Sequence, residues 1–204
     1  MCIRDSHGIY DISFMRVLPN IIIMTPSNEN EMWMMLNTGL QFEGPSAIRY
    51  PRGNSSGNEV IITDETIEVG KSLTVFEGGF IAILVFGELL NKVFDISKKL
   101  NLTLIDMRFA KPLDTNKIND LSKAHKYFIT LEDNVVKGGA GSAVNEYIIE
   151  KGLDINIINL GIPDKIIPHG SQDELYREIS LDKKSLEIKI NELYNHITKK
   201  EKSN

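Results

Sequence analysis

The sequence predicts an α/β fold: a mainly parallel sheet with flanking helices, preceded by the end of a second α/β domain. Three observations carry this. Apolar or β-branched runs alternate with helical stretches from residue 80 to 160, an order that requires βαβ crossovers. The run at 80–86, Phe-Ile-Ala-Ile-Leu-Val-Phe, is apolar at every position, as in a strand buried on both faces. Finally, Gly53-Asn54-Ser55-Ser56-Gly57-Asn58 is small or polar without periodicity, which is a linker signature. We therefore divide the chain into 7–53, a linker at 54–62, and 63–204, with 1–6 (Met-Cys-Ile-Arg-Asp-Ser) reading as a non-native start.

The elements follow in order. Residues 21–24 read as a strand, and Thr25-Pro26 as the N-cap and first-turn proline of a helix. Glu29 and Glu31 suit the positive end of that helix, Met32, Met35 and Leu36 recur at helical spacing, and Gly39 is its expected stop. Residues 46–50 make a second strand. Beyond the linker, 67–76 reads as a strand ending at the turn Glu77-Gly78-Gly79. After the buried strand at 80–86 come a helix near 88–100, a strand at 102–105, a helix near 114–124 and a strand at 127–131. A helix from about 142 to 150 and a strand at 155–160 complete the alternation. Ser171-Gln172-Asp173-Glu174 opens another helix with a capping box, and Leu186, Ile190, Leu193 and Ile197 mark the buried stripe of a last one.

Composition narrows the function classes. With 42% hydrophobic and 25% charged residues and a net charge of −5, the chain is globular in type and lacks a basic nucleic-acid arm. Its longest apolar run is the seven residues at 80–86, against roughly 20 for a membrane-spanning helix. We expect no membrane and no nucleic-acid partner. The first residues lack the apolar core of a secretory signal, and the single Cys2 fits a reducing, cytoplasmic location.

Several motifs could carry chemistry. Gly138-Gly139-Ala140-Gly141 precedes a helix, where backbone amides can hold phosphate, but Val144 stands where a dinucleotide fingerprint needs its third glycine. Close chain packing is the favoured reading. His7, His125, His169 and His196 are scattered and form no metal-ligand spacing, so no metal site is expected. Glu132-Asp133 falls at the carboxyl end of a predicted parallel strand, where open α/β sheets place ligands, and Asp106 and Arg108 sit similarly after the preceding strand. Arg49-Tyr50-Pro51-Arg52-Gly53 is the sharper signal: two arginines at a strand end can offer a guanidinium fork to a phosphate or carboxylate, or form an ion pair.

Taken together, seven segments in order resemble the C-terminal part of the 1-deoxy-D-xylulose-5-phosphate synthase family, within the transketolase superfamily. They are His7-Gly8-Ile9-Tyr10-Asp11-Ile12-Ser13-Phe14-Met15-Arg16, Met24-Thr25-Pro26-Ser27, Gly44 to Gly53, Asp106 to Asp114, Glu132-Asp133-Asn134, Gly138 to Ser142, and Leu160-Gly161-Ile162-Pro163-Asp164. The resemblance runs from about His7 to the last helix.

The resemblance implies the end of a pyrimidine-binding domain (7–53) followed by a transketolase C-terminal domain (63–204). It further implies a thiamine-diphosphate enzyme with magnesium, homodimeric at full length. Such an enzyme condenses pyruvate with glyceraldehyde 3-phosphate, releasing carbon dioxide, to make a precursor of isoprenoids, thiamine and pyridoxal. Arg52 matches the arginine that binds the substrate phosphate. The family's functional histidine aligns with Ser6, so His7 takes that role only if the register shifts by one. The main cofactor and metal ligands belong to segments upstream, so the stretch by itself is expected to be inactive. The alternatives are another thiamine-diphosphate enzyme (a transketolase or a 2-oxoacid dehydrogenase β subunit) or a non-catalytic oligomerisation module.

Overall fold

A computed structural model describes residues 8–51, 60–167 and 170–203. The chain opens with α1 (Asp11–Met15), followed by β1 (Ile22–Met24), α2 (Glu29–Gln41) and β2 (Ser46–Ile48). β1 and β2 run parallel. Helix α2 starts later than expected, because the Asn28 side chain, not Thr25, caps it by accepting from the Glu31 N–H at 3.0 Å. Thr25 stays extended and donates its N–H to the Arg108 carbonyl at 2.7 Å. Nor does Gly39 stop α2, which continues to Gln41. A Cβ at Gly39 would lie 2.9 Å from Ser46 Oγ, so its small size serves the close approach of helix and strand.

The second unit contains β3 (Leu73–Phe76), β4 (Ile81–Phe86), α3 (Leu89–Lys99), β5 (Thr103–Asp106), β6 (Phe109–Lys111), α4 (Thr115–Ala124), β7 (Tyr127–Val135), α5 (Ala140–Lys151), β8 (Asn156–Ile162), α6 (Gln172–Glu178) and α7 (Lys183–Ser203). Five strands form one sheet in the order β3-β5-β4-β7-β8, parallel except for the antiparallel edge strand β3. That edge strand is shorter than the 67–76 run, since Gly70 turns the chain at φ +77.

Alternate residues of β4 feed two cores. Ile81, Ile83 and Val85 face α3 and α7, packing with Leu89, Val93, Leu186 and Ile190. Ala82, Leu84 and Phe86 face α4 and α5, packing with Ile118, Leu121, Val144 and Ile148. Burial on both faces of β4 is what its unbroken apolar run anticipates. The capping box also forms, Ser171 with Glu174, and Leu186, Ile190 and Ile197 are the buried stripe of α7.

β6 is a strand the sequence pattern does not reveal. It leaves the five-stranded sheet and pairs antiparallel with β1, giving a three-stranded sheet in the order β2-β1-β6. Ile12 and Ile23 of the first unit are fully buried in the α4/α5 core of the second. One sheet and one core therefore span both units.

Candidate functional site

The sheet order locates a crevice. From β4 the chain crosses through α3 to β5 on one side, whereas β7, on the other side of β4, leads through α5 to β8. The connections after β4 and β7 thus leave in opposite directions onto opposite faces. Their carboxyl ends form a topological switch point, the place where an open α/β sheet takes its ligand.

Here that place is filled by the first unit. Arg49, just past β2, puts its guanidinium into the crevice with an exposure of 12%. Its Nε donates to Asp11 Oδ1 at 2.8 Å, Nη1 to Asp133 Oδ1, and Nη2 to the carbonyls of Asp133 at 2.8 Å and Gly8 at 3.0 Å. Burial alone would lower the pKa of this arginine, but Asp133 and then Asp11 outweigh it and hold the group above its ordinary value. The Val135 N–H donates to the Ile9 carbonyl at 2.7 Å, so the segment leading into α1 lies along the end of β7. On the β4 side, Gly87 adopts φ +92 with Thr25, Pro26 and Asp133 each within 4 Å of where a Cβ would stand.

Beside Asp133 is a second polar group. Glu88 Oε1 accepts from Tyr176 Oη and, at 2.9 Å, from Gln172 Nε2, while Lys92 Nζ sits 3.4 Å from the Tyr176 ring centroid. Burial pushes Glu88 above the usual carboxylate range and Lys92 below the usual amine range. Sequence spacing did not single out Asp11, Glu88, Lys92, Gln172 or Tyr176, because they converge from three separate stretches of chain.

β7 extends past the predicted end to Val135, so Glu132 and Asp133 lie within it. Asp133 joins the Arg49 cluster. Glu132 is fully buried and accepts from the Ala140 N–H at 2.8 Å and the Gly141 N–H at 2.9 Å, filling the α5 N-terminus with the protein's own carboxylate. Burial outweighs those two bonds and pushes Glu132 to about 7. The packing reading of the glycine segment therefore holds: a Cβ on Gly139 would stand 2.2 Å from Glu132 Oε2, and one on Gly141 2.4 Å from Thr130 Oγ1.

Asp106 and Arg108 serve a second junction between the units. Arg108 Nη2 reaches Glu31 Oε1 at 2.5 Å, and Asp106 Oδ1 accepts the Arg108 N–H at 3.0 Å where Arg108 adopts φ +57. His125 packs at the end of α4, with Nε2 2.7 Å from Thr103 Oγ1 and Nδ1 3.0 Å from the Leu121 carbonyl. His7, Arg52 and His169 lie outside the described residues. Among the described residues, no group of three or more His, Cys, Asp or Glu is arranged to hold a metal, and no helix is long and apolar enough to cross a membrane.

These features define an α/β unit whose ligand crevice has become a socket for a neighbouring α/β unit. The family described as "Transketolase, C-terminal domain" matches residues 70–186, and "Transketolase, pyrimidine binding domain" matches residues 4–57. The chain belongs to the transketolase family. Among its relatives, the 1-deoxy-D-xylulose-5-phosphate synthase of Colwellia psychrerythraea is 44% identical over 198 residues, covering 92% of this chain and 31% of that protein. That of Haemophilus influenzae strain Rd is 49% identical over 183 residues, covering 90% and 29%. The chain thus spans about a third of the length of the curated relatives it matches. A solved split gene transketolase, described as an inactive beta4 tetramer, superimposes with a TM-score of 0.80 at 26% identity, covering 92% of this chain and 62% of that one. The transketolase of Leishmania mexicana shares the fold at a TM-score of 0.62 and 14% identity, covering 92% and 27%.

Proposed function

We propose that this stretch is the C-terminal part of a 1-deoxy-D-xylulose-5-phosphate synthase, a thiamine-diphosphate transferase that joins pyruvate to glyceraldehyde 3-phosphate with loss of carbon dioxide. The observation that carries the reading is the 44–49% identity to enzymes of that name over about nine-tenths of the chain. In this reading, residues 7–53 end a pyrimidine-binding domain and 63–204 are the C-terminal domain. The enzyme is cytoplasmic and homodimeric, and its product feeds isoprenoid, thiamine and pyridoxal synthesis.

Among the described residues, the N-terminus of α5, whose amides resemble a diphosphate cradle, does not fit the cofactor, since Glu132 already occupies it. The diphosphate and magnesium are then held by other parts of the enzyme. When bound, the cofactor supplies the carbanion chemistry of the reaction. This stretch contributes the acceptor side: Arg52 binds the phosphate of the aldehyde through a charge-assisted fork, and His7 stands in for the substrate-side histidine only if the register shifts by one. By itself the stretch turns over no substrate.

A full-length enzyme carrying this stretch should form product from pyruvate and glyceraldehyde 3-phosphate when loaded with thiamine diphosphate and magnesium. Absence of product from folded, loaded enzyme would sink the reading. Arg52→Ala should raise KM for the phosphorylated aldehyde far more than for pyruvate; equal effects would remove the phosphate role. The inactive β-only tetramer among the structural neighbours favours a second reading, that of a self-associating module without activity. A folded, oligomeric 204-residue chain whose upstream reading frame encodes no cofactor domain would support it.

A further inference from the structure

We propose that Glu31, Asp106 and Arg108 form a pH-sensitive joint between the two units, one that holds tightest in acid and loosens toward neutral pH. The inference does not depend on the reaction assigned above. Arg108 is the pivot by position, since β5 ends at Asp106 in the large sheet and β6 begins at Phe109 in the small one. Its carbonyl accepts from the Thr25 N–H at 2.7 Å and from Thr25 Oγ1 at 3.2 Å, and its guanidinium reaches Glu31 of α2. Its own N–H donates to Asp106 Oδ1 at 3.0 Å. One residue therefore ties the end of β1, helix α2 and the large sheet together.

The charges at this joint do not balance. Glu31 is 6% exposed and Asp106 1%, and the single guanidinium beside them is directed to Glu31. Asp106 receives only the backbone N–H of Arg108, and Glu31 Oε2, Asp106 Oδ2 and Arg108 Nε are buried without a hydrogen-bond partner among the described residues. The other described neighbours of Asp106 are uncharged. Val85 of β4 and Leu73 of β3 pair with it in the sheet, and the Ser27 hydroxyl faces it from the segment before α2, where Asn91 of α3 holds the Ser27 carbonyl.

With Asp106 protonated, one carboxylate faces one guanidinium. Once it ionises, the same dry space holds two carboxylates against one cation, and Glu31 repels the newcomer. Burial, and with it the Glu31 charge, raises Asp106 from 3.8 to about 6, against the opposing Ser27 hydroxyl and Arg108. Opening the joint returns the carboxyl to water and to its ordinary value, so the closed form binds the proton more tightly than the open one. Closure is therefore fully favoured below 3.8, and the advantage is lost as pH rises through about 6.

The test is amide hydrogen exchange by mass spectrometry on the full-length protein from pH 4.5 to 7.5, with rates corrected for the intrinsic pH dependence of exchange. Peptides spanning 21–27 and 107–113 report on the joint, and peptides from β4 and β7 report on the interior of the large sheet. Exchange at the joint should rise about tenfold or more over this range relative to the interior. Asp106→Asn keeps an oxygen for the Arg108 N–H and imitates the protonated acid, so it should reduce the rise to less than about threefold. Glu31→Gln removes the repelling charge and leaves the guanidinium to Asp106, so it should move the rise to lower pH. Joint peptides that follow the interior ones at every pH would overturn the proposal, as would a rise that survives Asp106→Asn. If Asp106→Asn does not fold, Glu31→Gln decides: a rise at the wild-type pH removes the carboxylate pair from the joint.

Discussion

Glu132 and Asp133 are neighbours on β7, both buried, and the fold treats them in opposite ways. Asp133 meets a full positive charge delivered by another unit, through Arg49. Glu132 has no ion-pair partner among the described residues and is held by two amides at the start of α5, with its pKa pushed to about 7. Adjacent strand residues point to opposite faces, so one carboxylate looks toward the unit junction and the other into a helix end of its own unit. One buried carboxylate thus serves to join units, and the other fills a site that would otherwise attract anions. Only the first depends on the rest of the protein being in place.

The largest expected effect breaks the Asp133 side of this pairing. Arg49→Ala or Asp133→Ala, each leaving a buried charge unpaired, should cost about 3–5 kcal/mol in urea unfolding, with the double variant costing much less than the sum. Additive losses would show that the pair is not coupled. Next, on the Glu132 side, Gly139→Ala should cost about 1–3 kcal/mol because its methyl collides with the carboxylate at 2.2 Å, and adding Glu132→Ala should recover part of the loss. No recovery would mean the glycine answers to something other than Glu132.

The pH profile sharpens the contrast. Glu132 binds its proton more tightly folded than unfolded, so its contribution is fully present below about 4.5 and is lost as pH rises through about 7. The change over that window is on the order of 3 kcal/mol. Asp106, pushed up to about 6 by burial, adds a loss of the same sign at slightly lower pH. Glu132→Gln should flatten the upper part of the profile and leave the Asp106 part. An unchanged profile, followed by urea midpoints from pH 4.5 to 7.5, would refute the buried, titrating Glu132. The smallest effect belongs to the Lys137–Asp164 pair, 2.6 Å apart but 77% and 60% exposed. Lys137→Ala should leave the urea midpoint unchanged within error, and a clear shift would mean that surface pairs matter here as much as buried ones.

Much of the large sheet was legible because its signals are local. The apolar run of β4, the stripe of α7 and the Ser171–Glu174 cap each depend on residues a few positions apart. The junction was not, for the same reason. β6 has three residues and follows Arg108 at positive φ, too short to show a period, and its partner β1 lies in the other unit. The five-residue α1 is equally unreadable. Nothing local in the Arg49-to-Gly53 motif says that the Arg49 guanidinium turns inward to carboxylates 38 and 84 residues away. The glycine segment was readable as close packing, but the occupant of its amides, a carboxylate eight residues upstream, was not.

The pairing of β1 with β6 ties the order of folding to the order of synthesis. Thr25 and Arg108, which meet where these strands join, are separated by 83 positions. When β1 first leaves the ribosome, the edge that β6 will cover is bare, and it stays bare until most of the central strands of the next unit have been made. A nascent chain carries that open edge through the interval, a surface on which holding factors or misdirected strands can act. The first unit is thus finished by the second, and a ribosome that stalls before residue 109 leaves both incomplete.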